Sequence, residues 1–381
     1  MKVSCLQENL NRGLSVVGRA VPVRSTLPQA SHVLIETDGG RLKLVATDLT
    51  IAVTCWIGAQ VEEEGSVTVP ARLLTDFVAS LPNEKIDMTV AGRAKQLHLK
   101  QGERNEATIA GMDAGDFPPV PTVSDGLTLS LAPAALQKAI EQVQFAAATD
   151  DTRPVLTGIH TLAEDNILTL AAADGFRLAV HKLPLDQDVP EKVEVIIPAR
   201  ALREIERQIG EQEEPIEMAI NAAHSQVLFR MQSVEVVATL IQGTFPNYSQ
   251  LIPQSWNTRA EVSMKDFLQE TRIAAIFARD GAGIVRVQMD PTQEGEKGPG
   301  KMTISARAEE IGDHRGEVDV TMEGEASKIA FNSRYLQDVL SVLDSSQQVW
   351  LETTSPSSPG VIRPVGDEQY VHVVMPMFVQ W

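Results

Sequence analysis

The side chains best suited to chemistry in this chain are carboxylates and arginines. Asp and Glu number 51 in 381 residues, and the adjacent pair Asp150-Asp151 has the form that can hold Mg²⁺ in a nuclease or polymerase. The other parts of such a site are missing from the sequence. There is no Gly-rich phosphate loop, no nucleophile elbow and no run of metal ligands. The seven histidines are scattered, none at ligand spacing from a cysteine or another histidine. Cys5 and Cys55 fall inside strand-like runs and read as reduced core thiols. Asp48 and Asp174 share one repeated motif whose third copy has Ala308. A catalytic residue is normally unique to one site, so this pair reads as turn-forming. No catalytic residue, metal or cofactor is expected.

The arginines recur. Val69-Pro70-Ala71-Arg72-Leu73-Leu74-Thr75-Asp76-Phe77 returns as Ile197-Pro198-Ala199-Arg200-Ala201-Leu202-Arg203-Glu204-Ile205. A third version is Phe331-Asn332-Ser333-Arg334-Tyr335-Leu336-Gln337-Asp338-Val339. The offsets are 128 and 134 residues, each close to a third of the chain. Guanidinium groups repeated in this way suit contact with phosphates.

These arginines need elements to hold them. Leu74, Leu202 and Leu336 correspond, followed by Phe77, Ile205 and Val339, then Leu81, Ile209 and Leu343. That spacing puts the apolar positions on one face of a helix. Pro70 and Pro198 suit the first helical position, and Asn332 suits an N-cap. Other landmarks keep the period. Leu44-Val45-Ala46-Thr47-Asp48 matches Leu170-Ala171-Ala172-Ala173-Asp174, and Gly115-Asp116-Phe117-Pro118 matches Gly243-Thr244-Phe245-Pro246. The third copy closes on Val374-Met375-Pro376-Met377, 130 residues after Pro246. Each unit also opens on a helical pattern, at about Leu6 to Arg19, Pro133 to Ala147 and Ser263 to Ala278. Between the helices lie alternating runs such as Val33–Thr37 and Gln226–Arg230. The fold class is therefore α+β: three tandem similar domains, each with two helices packed on antiparallel sheets. Their expected limits are 1–124, 125–254 and 255–381. Linkers fall at Pro118–Ser124 and Pro253–Thr258, and Glu294–Gly300 reads as an exposed hairpin loop.

The net charge is −18, which on its own argues against a DNA-coating protein. The helices nevertheless gather cations. Arg200, Arg203 and Arg207 share one face of their helix, Lys265, Arg272 and Arg279 stand seven apart, and Arg12 and Arg19 do the same. One such helix alone reads as an ordinary solvated face. Asp76, Glu204 and Asp338, four residues after the repeated arginines, could simply form i,i+4 pairs. Recurrence in three units favours a segregated surface, with basic helices toward a polyanion and acidic sheets outward. The cations assigned to that surface are Arg12, Arg19, Arg24, Arg72, Lys138, Arg200, Arg203, Arg207, Lys265, Arg272 and Arg334. Such contacts go to phosphates and carry no base-sequence information.

Tandem units of this kind, with Pro-Ala-Arg at the start of a helix, resemble the bacterial DNA polymerase III β subunit, the β sliding clamp family. Three segments carry the likeness: Arg24-Ser25-Thr26-Leu27-Pro28, Ala173-Asp174-Gly175-Phe176-Arg177-Leu178-Ala179, and Val373-Val374-Met375-Pro376-Met377. The likeness runs from Met1 to Met377. The resemblance implies the DNA clamp fold and a head-to-tail homodimer ring of six domains. Duplex DNA would thread the hole irrespective of sequence, so that a bound polymerase keeps a high effective concentration at its template. It implies no catalysis. Its partners would be the replicative polymerase catalytic subunit, the clamp loader, and other polymerases and repair proteins carrying clamp-binding peptides.

The resemblance also implies a peptide-binding pocket. The matching positions are Leu156, Ala173, Gly175, Phe176, Arg177, Leu178, Pro246, Gln250, Leu251, Pro356, Ser358, Val373, Val374, Met375, Pro376 and Met377. Gly175 read alone is a turn residue, and Met375 and Met377 read alone are core. Phe176 stands where the family often has His or Tyr, Ala173 where it has Thr, and Gln250 where a basic residue can occur. The chain runs on as Phe378-Val379-Gln380-Trp381, an aromatic tail that could shade the pocket. For the dimer contact the resemblance implies Ile276 and Phe277, facing the region of Ala107 to Ile109. Two other readings compete: a metal-dependent nuclease or polymerase, and a non-ring adaptor of three repeats that binds peptides alone. The basic stripes weigh against the adaptor. With no stretch of about 18 apolar residues and no signal-peptide pattern after Met1, no membrane contact and a cytoplasmic location are expected.

Overall fold

A strand, a helix and three further strands form one βαβββ run, and this run occurs six times along the chain. The computed structural model of the protein describes residues 1–22, 27–90, 95–210, 212–279, 282–293, 297–308 and 312–381. Its helices are α1 (Gln7–Val17), α2 (Ala71–Ser80), α3 (Pro133–Gln144), α4 (Ala199–Ile209), α5 (Met264–Ala278) and α6 (Ser333–Ser341). Each third of the chain holds two runs, as expected of two helices on antiparallel strands. Among the described residues one strand, Gln60–Glu63, stands outside the pattern.

The helix starts follow local chemistry. Asn332 Oδ1 accepts from the Arg334 amide at 2.9 Å and Ser263 Oγ from the Asp266 amide at 3.4 Å. Pro70 and Pro198 do not occupy the first helical position. Each stands one residue earlier, as the last residue of the preceding strand. There an extended backbone and a missing N–H cost nothing. Leu202, Ile205 and Ile209 of α4 are buried, as are Leu336, Val339 and Leu343 of α6 and just beyond it. In α2 the pattern is weaker: Leu74 and Val78 are buried, but Phe77 and Leu81 are only half-buried. Each fully buried Leu or Ile contributes roughly 1.5–3 kcal/mol. α1 lies so close to its sheet that a Cβ on Gly13 would stand 2.7 Å from Leu44 Cδ1.

The chain divides into two compact units. The first comprises Met1–Ala134 with Arg200–Leu240, the second Ala135–Ala199 with Ile241–Trp381. The central third is shared between them because its sheets continue into those of its neighbours. In the first unit, Val234–Thr239 pairs with Ile51–Gly58 to make an eight-stranded sheet. A five-stranded sheet there ends on Asn105–Ala110. In the second unit, Tyr370–Val374 pairs with Arg177–Pro184 inside a twelve-stranded sheet. The two junctions share one register. Ile51 faces Ala238 and Cys55 faces Val234, while Arg177 faces Val374 and His181 faces Tyr370.

A second regularity caps the strand before each second helix. Thr68 exchanges backbone bonds with Met112, the Ile241 amide donates to Ile196 O at 2.9 Å, and the Met377 amide donates to Ala330 O at 2.7 Å. This corrects one landmark. Pro246 lies five residues beyond its cap, whereas Pro376 precedes its own, so the two are not counterparts. The residue four beyond the third cap is Trp381, matching buried Phe245. The stretch 118–124 is irregular, as a linker should be, and Trp256 in the second linker stacks on Arg259, 4.4 Å from ring centre to guanidinium. Of the expected loop Glu294–Gly300, residues 294–296 lie outside the described residues, and Gly298–Gly300 already belong to the strand Gly298–Ala308.

Cys5 and Cys55 are free and buried, and burial pushes their thiols up to about 12 and about 11. They stay protonated and serve as core. No helix among the described residues is long and apolar enough to cross a membrane.

Candidate functional site

Two places in the fold bear on function. The first is a cavity of about 400 Å³ in the second unit. Strand ends supply Ala173, Arg177, Leu178 and Val373, Met375 follows directly on the last of these strands, and the turn between the first two supplies Gly175. The 3₁₀ turn Ser249–Leu251 adds Gln250 and Leu251. Pro253 and Pro359 complete the wall. The lining is mostly apolar, which suits side chains of a docked segment. Gly175 has φ +96, and a Cβ there would stand 2.8 Å from Arg153 Nη1, so glycine is required.

The remaining expected pocket residues do not line this cavity. Phe176 is 57% exposed and stacks on Tyr335 of α6, with centroids 6.5 Å apart. Leu156 is packed with Ala148, Ile196 and Phe245. Val374 is buried, and Pro246 is exposed outside the lining. Ser358 bonds within its own turn to Ser355. Pro356 lines a separate cavity with Trp381. Pro376 and Met377 are half-buried, the latter capping the Ala330 strand. The tail thus leaves the pocket open and runs beside the strand Ser327–Asn332. Pro253 and Pro359 escaped the sequence reading because neither lies in a repeated motif.

Arg177 organises the pocket turn. Its guanidinium meets Asp174 Oδ2 at 3.0 Å, Asp338 Oδ2 at 2.5 Å and Phe145 O at 2.6 Å. It also lies over the rings of Tyr335 and Phe145, at 4.6 and 5.3 Å. Asp174 Oδ1 accepts from the Phe176 and Arg177 amides, which makes it the turn-former expected. One buried cation therefore ties the pocket turn to α6 and to the end of α3. Beyond Phe145 the stack continues through His372, Tyr370 and His181, with His181 Nδ1 2.7 Å from Gln142 Oε1. Burial lowers His181 to about 4 and His372 to about 3, so both rings are neutral.

The second place is the set of helical cations. All the described members are exposed, but they differ in what they touch. In the first unit Arg200 pairs with Asp48, Arg207 with Glu204 at 2.8 Å, and Arg19 reaches Glu204 at 3.9 Å. In the second, Lys138 pairs with Asp367 at 2.9 Å and Arg272 approaches Ser341 Oγ at 3.4 Å. Arg12, Arg72, Arg203, Lys265 and Arg334 form no side-chain ion pair with the described residues. The suggested i,i+4 pairs do not form: Glu204 and Asp338 turn instead to Arg207 and Arg177. Arg24 lies outside the described residues.

The two junctions also exchange their charges. At the first, the helix carries the cation (Arg200) and the turn the acid (Asp48). At the second, the turn carries the cation (Arg177) and the helix the acid (Asp338). Arg334, the counterpart of Arg200, is thereby released.

Comparison with known proteins settles the family. The DNA polymerase III beta subunit models match in three parts: the N-terminal domain over residues 1–121, the central domain over 130–247 and the C-terminal domain over 249–378. The chain belongs to the DNA polymerase III beta subunit family. It is 33% identical to the beta sliding clamp of Synechococcus elongatus over 380 residues, 99% of each chain. It is 30% identical to that of Staphylococcus aureus over 94% of each. Among solved structures, the DNA polymerase sliding clamp of Bacillus subtilis superposes with a TM-score of 0.92 at 27% identity, covering both chains fully. The Pseudomonas aeruginosa clamp bound to griselimycin superposes with 0.89 at 28%, again over both whole chains. The beta subunit family is a sliding clamp and processivity factor, not a catalytic subunit.

Proposed function

We propose that this beta subunit closes with a second copy into a ring around duplex DNA and holds polymerases there through the Ala173–Met375 cavity. Three clamp domains, 1–124, 125–254 and 255–381, would form each half. The observation that carries this reading is the pair of sheet junctions in one register. Each joins the last strand of one domain to the fourth strand of the domain before it, and two such edges are left over. Asn105–Ala110 is the last strand of the first domain and ends its sheet. Gly312–Gly324 is the fourth strand of the third domain, and its Gly312–Val320 part has no strand on its outer side among the described residues. A head-to-tail copy would pair these two edges with each other.

Exposed apolar side chains in the same two domains support this closure. Leu73 on α2 is 55% exposed, whereas its counterpart Ala201 is fully buried and Tyr335 half-buried. Ile276 on α5 is 60% exposed, and Phe277 stacks on His314 of the open edge with centroids 5.7 Å apart. Exposed apolar side chains at an unpaired edge suit a partner surface.

For DNA, Arg12, Arg72, Arg203, Lys265 and Arg334, which form no ion pair among the described residues, are the phosphate contacts, while Arg19, Arg200, Arg207 and Lys138 mainly hold the fold. For proteins, the cavity takes apolar side chains of short peptides from the replicative polymerase, the clamp loader and repair proteins, a groove-docking mode. The site of action is the cytoplasm. The test is topological: a loaded ring stays on circular DNA and leaves once the circle is cut.

A further inference from the structure

One wall of the 400 Å³ cavity, the part that carries Gln250, Leu251 and Pro253, is a thin strap. Its back faces a second cavity of about 520 Å³, which Tyr248, Ser249, Ile252 and Gln254 line from the strap and Val180 and Val371 from the sheet. Neighbouring residues of the strap thus face opposite cavities. A segment with open space on both sides is not fixed by packing from behind, so its anchors decide where the wall stands. At its start, Tyr248 stands edge-on to Phe245 and His160, with centroids 6.1 and 5.5 Å apart, and its hydroxyl lies 3.4 Å from His160 Nδ1. Midway, Ile252 rests with Tyr248 on the apolar cluster around Val180 and Val371.

The far anchor is a cation between rings. Three residues past Pro253, Trp256 stacks on the Arg259 guanidinium at 4.4 Å, and Trp350 lies against the same group at 4.5 Å. Arg259 donates twice to Glu352 Oε1, at 2.9 and 2.6 Å, and Arg363 donates to Glu352 Oε2 at 3.3 Å. Glu352 is buried and sits on the strand paired with that of Arg259, so the guanidinium is a fixed platform on the sheet of the third domain. Trp256 itself is half-buried and lines neither of the two cavities. The linker 118–124 carries no aromatic residue, so this anchor is particular to the linker beside the pocket. We infer that Trp256, stacked on Arg259, is a positioning residue for the peptide cavity: it fixes the strap and so holds Leu251 and Pro253 where a docked apolar side chain meets them. A wall already in place spares binding the cost of ordering the strap. This role rests on the cavity being the peptide site, and Trp256 acts on it without touching the partner.

The experiment titrates the intact clamp with the purified catalytic polymerase subunit of the same organism. W256A and W256F are compared with the pocket variant L251D. Thermal melting checks that all three fold, and amide hydrogen exchange over residues 249–256 reads the strap. W256A weakens affinity about 3- to 10-fold and speeds exchange in the strap but not in the helices. W256F keeps a ring for Arg259 and stays within about twofold of wild type, while L251D loses more than about 30-fold. Wild-type affinity in W256A with binding lost in L251D overturns the positioning role and leaves the pocket reading intact. Weakening in W256A with unchanged strap exchange also overturns it, because Trp256 then touches the partner itself. A loss in W256F equal to that in W256A overturns the stack on Arg259 as its basis. Full binding in L251D removes the pocket reading and this inference with it.

Discussion

Arg200 and Arg334 occupy one position of the repeat and do different work. Arg200 is engaged with Asp48, whereas Arg334 has no acidic partner among the described residues. Each phosphate neutralised adds roughly 0.9 to the slope of log affinity against log salt. R334A should lower that slope by about one unit per contact on short duplex DNA, with R200A leaving it within error. An equal fall in both variants would contradict the division of the cations. A second prediction belongs to His181 and His372. Their folded values of about 4 and about 3 lie below the ordinary 6.5. The unfolded chain takes up protons below about pH 6.5 and the folded chain does not. Stability is therefore full above pH 6.5 and is lost as pH falls toward 4 and 3. Each ring costs about 2 kcal/mol by pH 5. Urea midpoints between pH 7.5 and 4.5 should show this, and H372F should flatten the curve. His372 Nε2 has no hydrogen-bond partner among the described residues, and the ring's Nδ1 lies 3.4 Å from the Tyr370 hydroxyl. An unchanged pH profile in H372F would show that its ring is not held neutral.

At the scale of elements, the open edges make the sharpest claim. L73D combined with I276D should turn a dimer into a monomer in sedimentation equilibrium, with the helix content unchanged. A dimer that survives both charges would place the interface elsewhere. Much of this level was legible in the sequence. Apolar spacing located all six helices to within a few residues, and the Arg72, Arg200 and Arg334 motifs marked three equivalent helix starts. Asp48 and Asp174 are the turn-formers their setting suggested. The rest depends on contacts distant in sequence. Nothing local tells that Val234–Thr239 will lie against Ile51–Gly58, or that Asp338 will leave Arg334 for Arg177. Pro376 looked like the partner of Pro246, yet the capping bond of Met377 sets a different register. Of the residues that the family likeness implied for a pocket, Ala173, Gly175, Arg177, Leu178, Gln250, Leu251, Val373 and Met375 line the cavity. Pro253 and Pro359, which only the fold brings to the wall, were not legible in the sequence.

For the whole molecule, function follows from closure. A net charge of −18 would repel DNA if spread evenly. Phosphate contacts from a few helical cations would be weak enough to permit sliding, and the closed ring would supply the persistence. Six βαβββ runs joined by repeated sheet junctions suit that closure, which would use the edge Asn105–Ala110 and the free part of the strand Gly312–Gly324. The most direct measurement is retention of the loaded protein on nicked circular DNA. A matching clamp loader and ATP load it, and gel filtration follows before and after the circle is cut. The ring account predicts co-elution with the intact circle through the column and loss once free ends appear. Equal retention on cut and uncut DNA would contradict it and mark the chain as an ordinary groove binder.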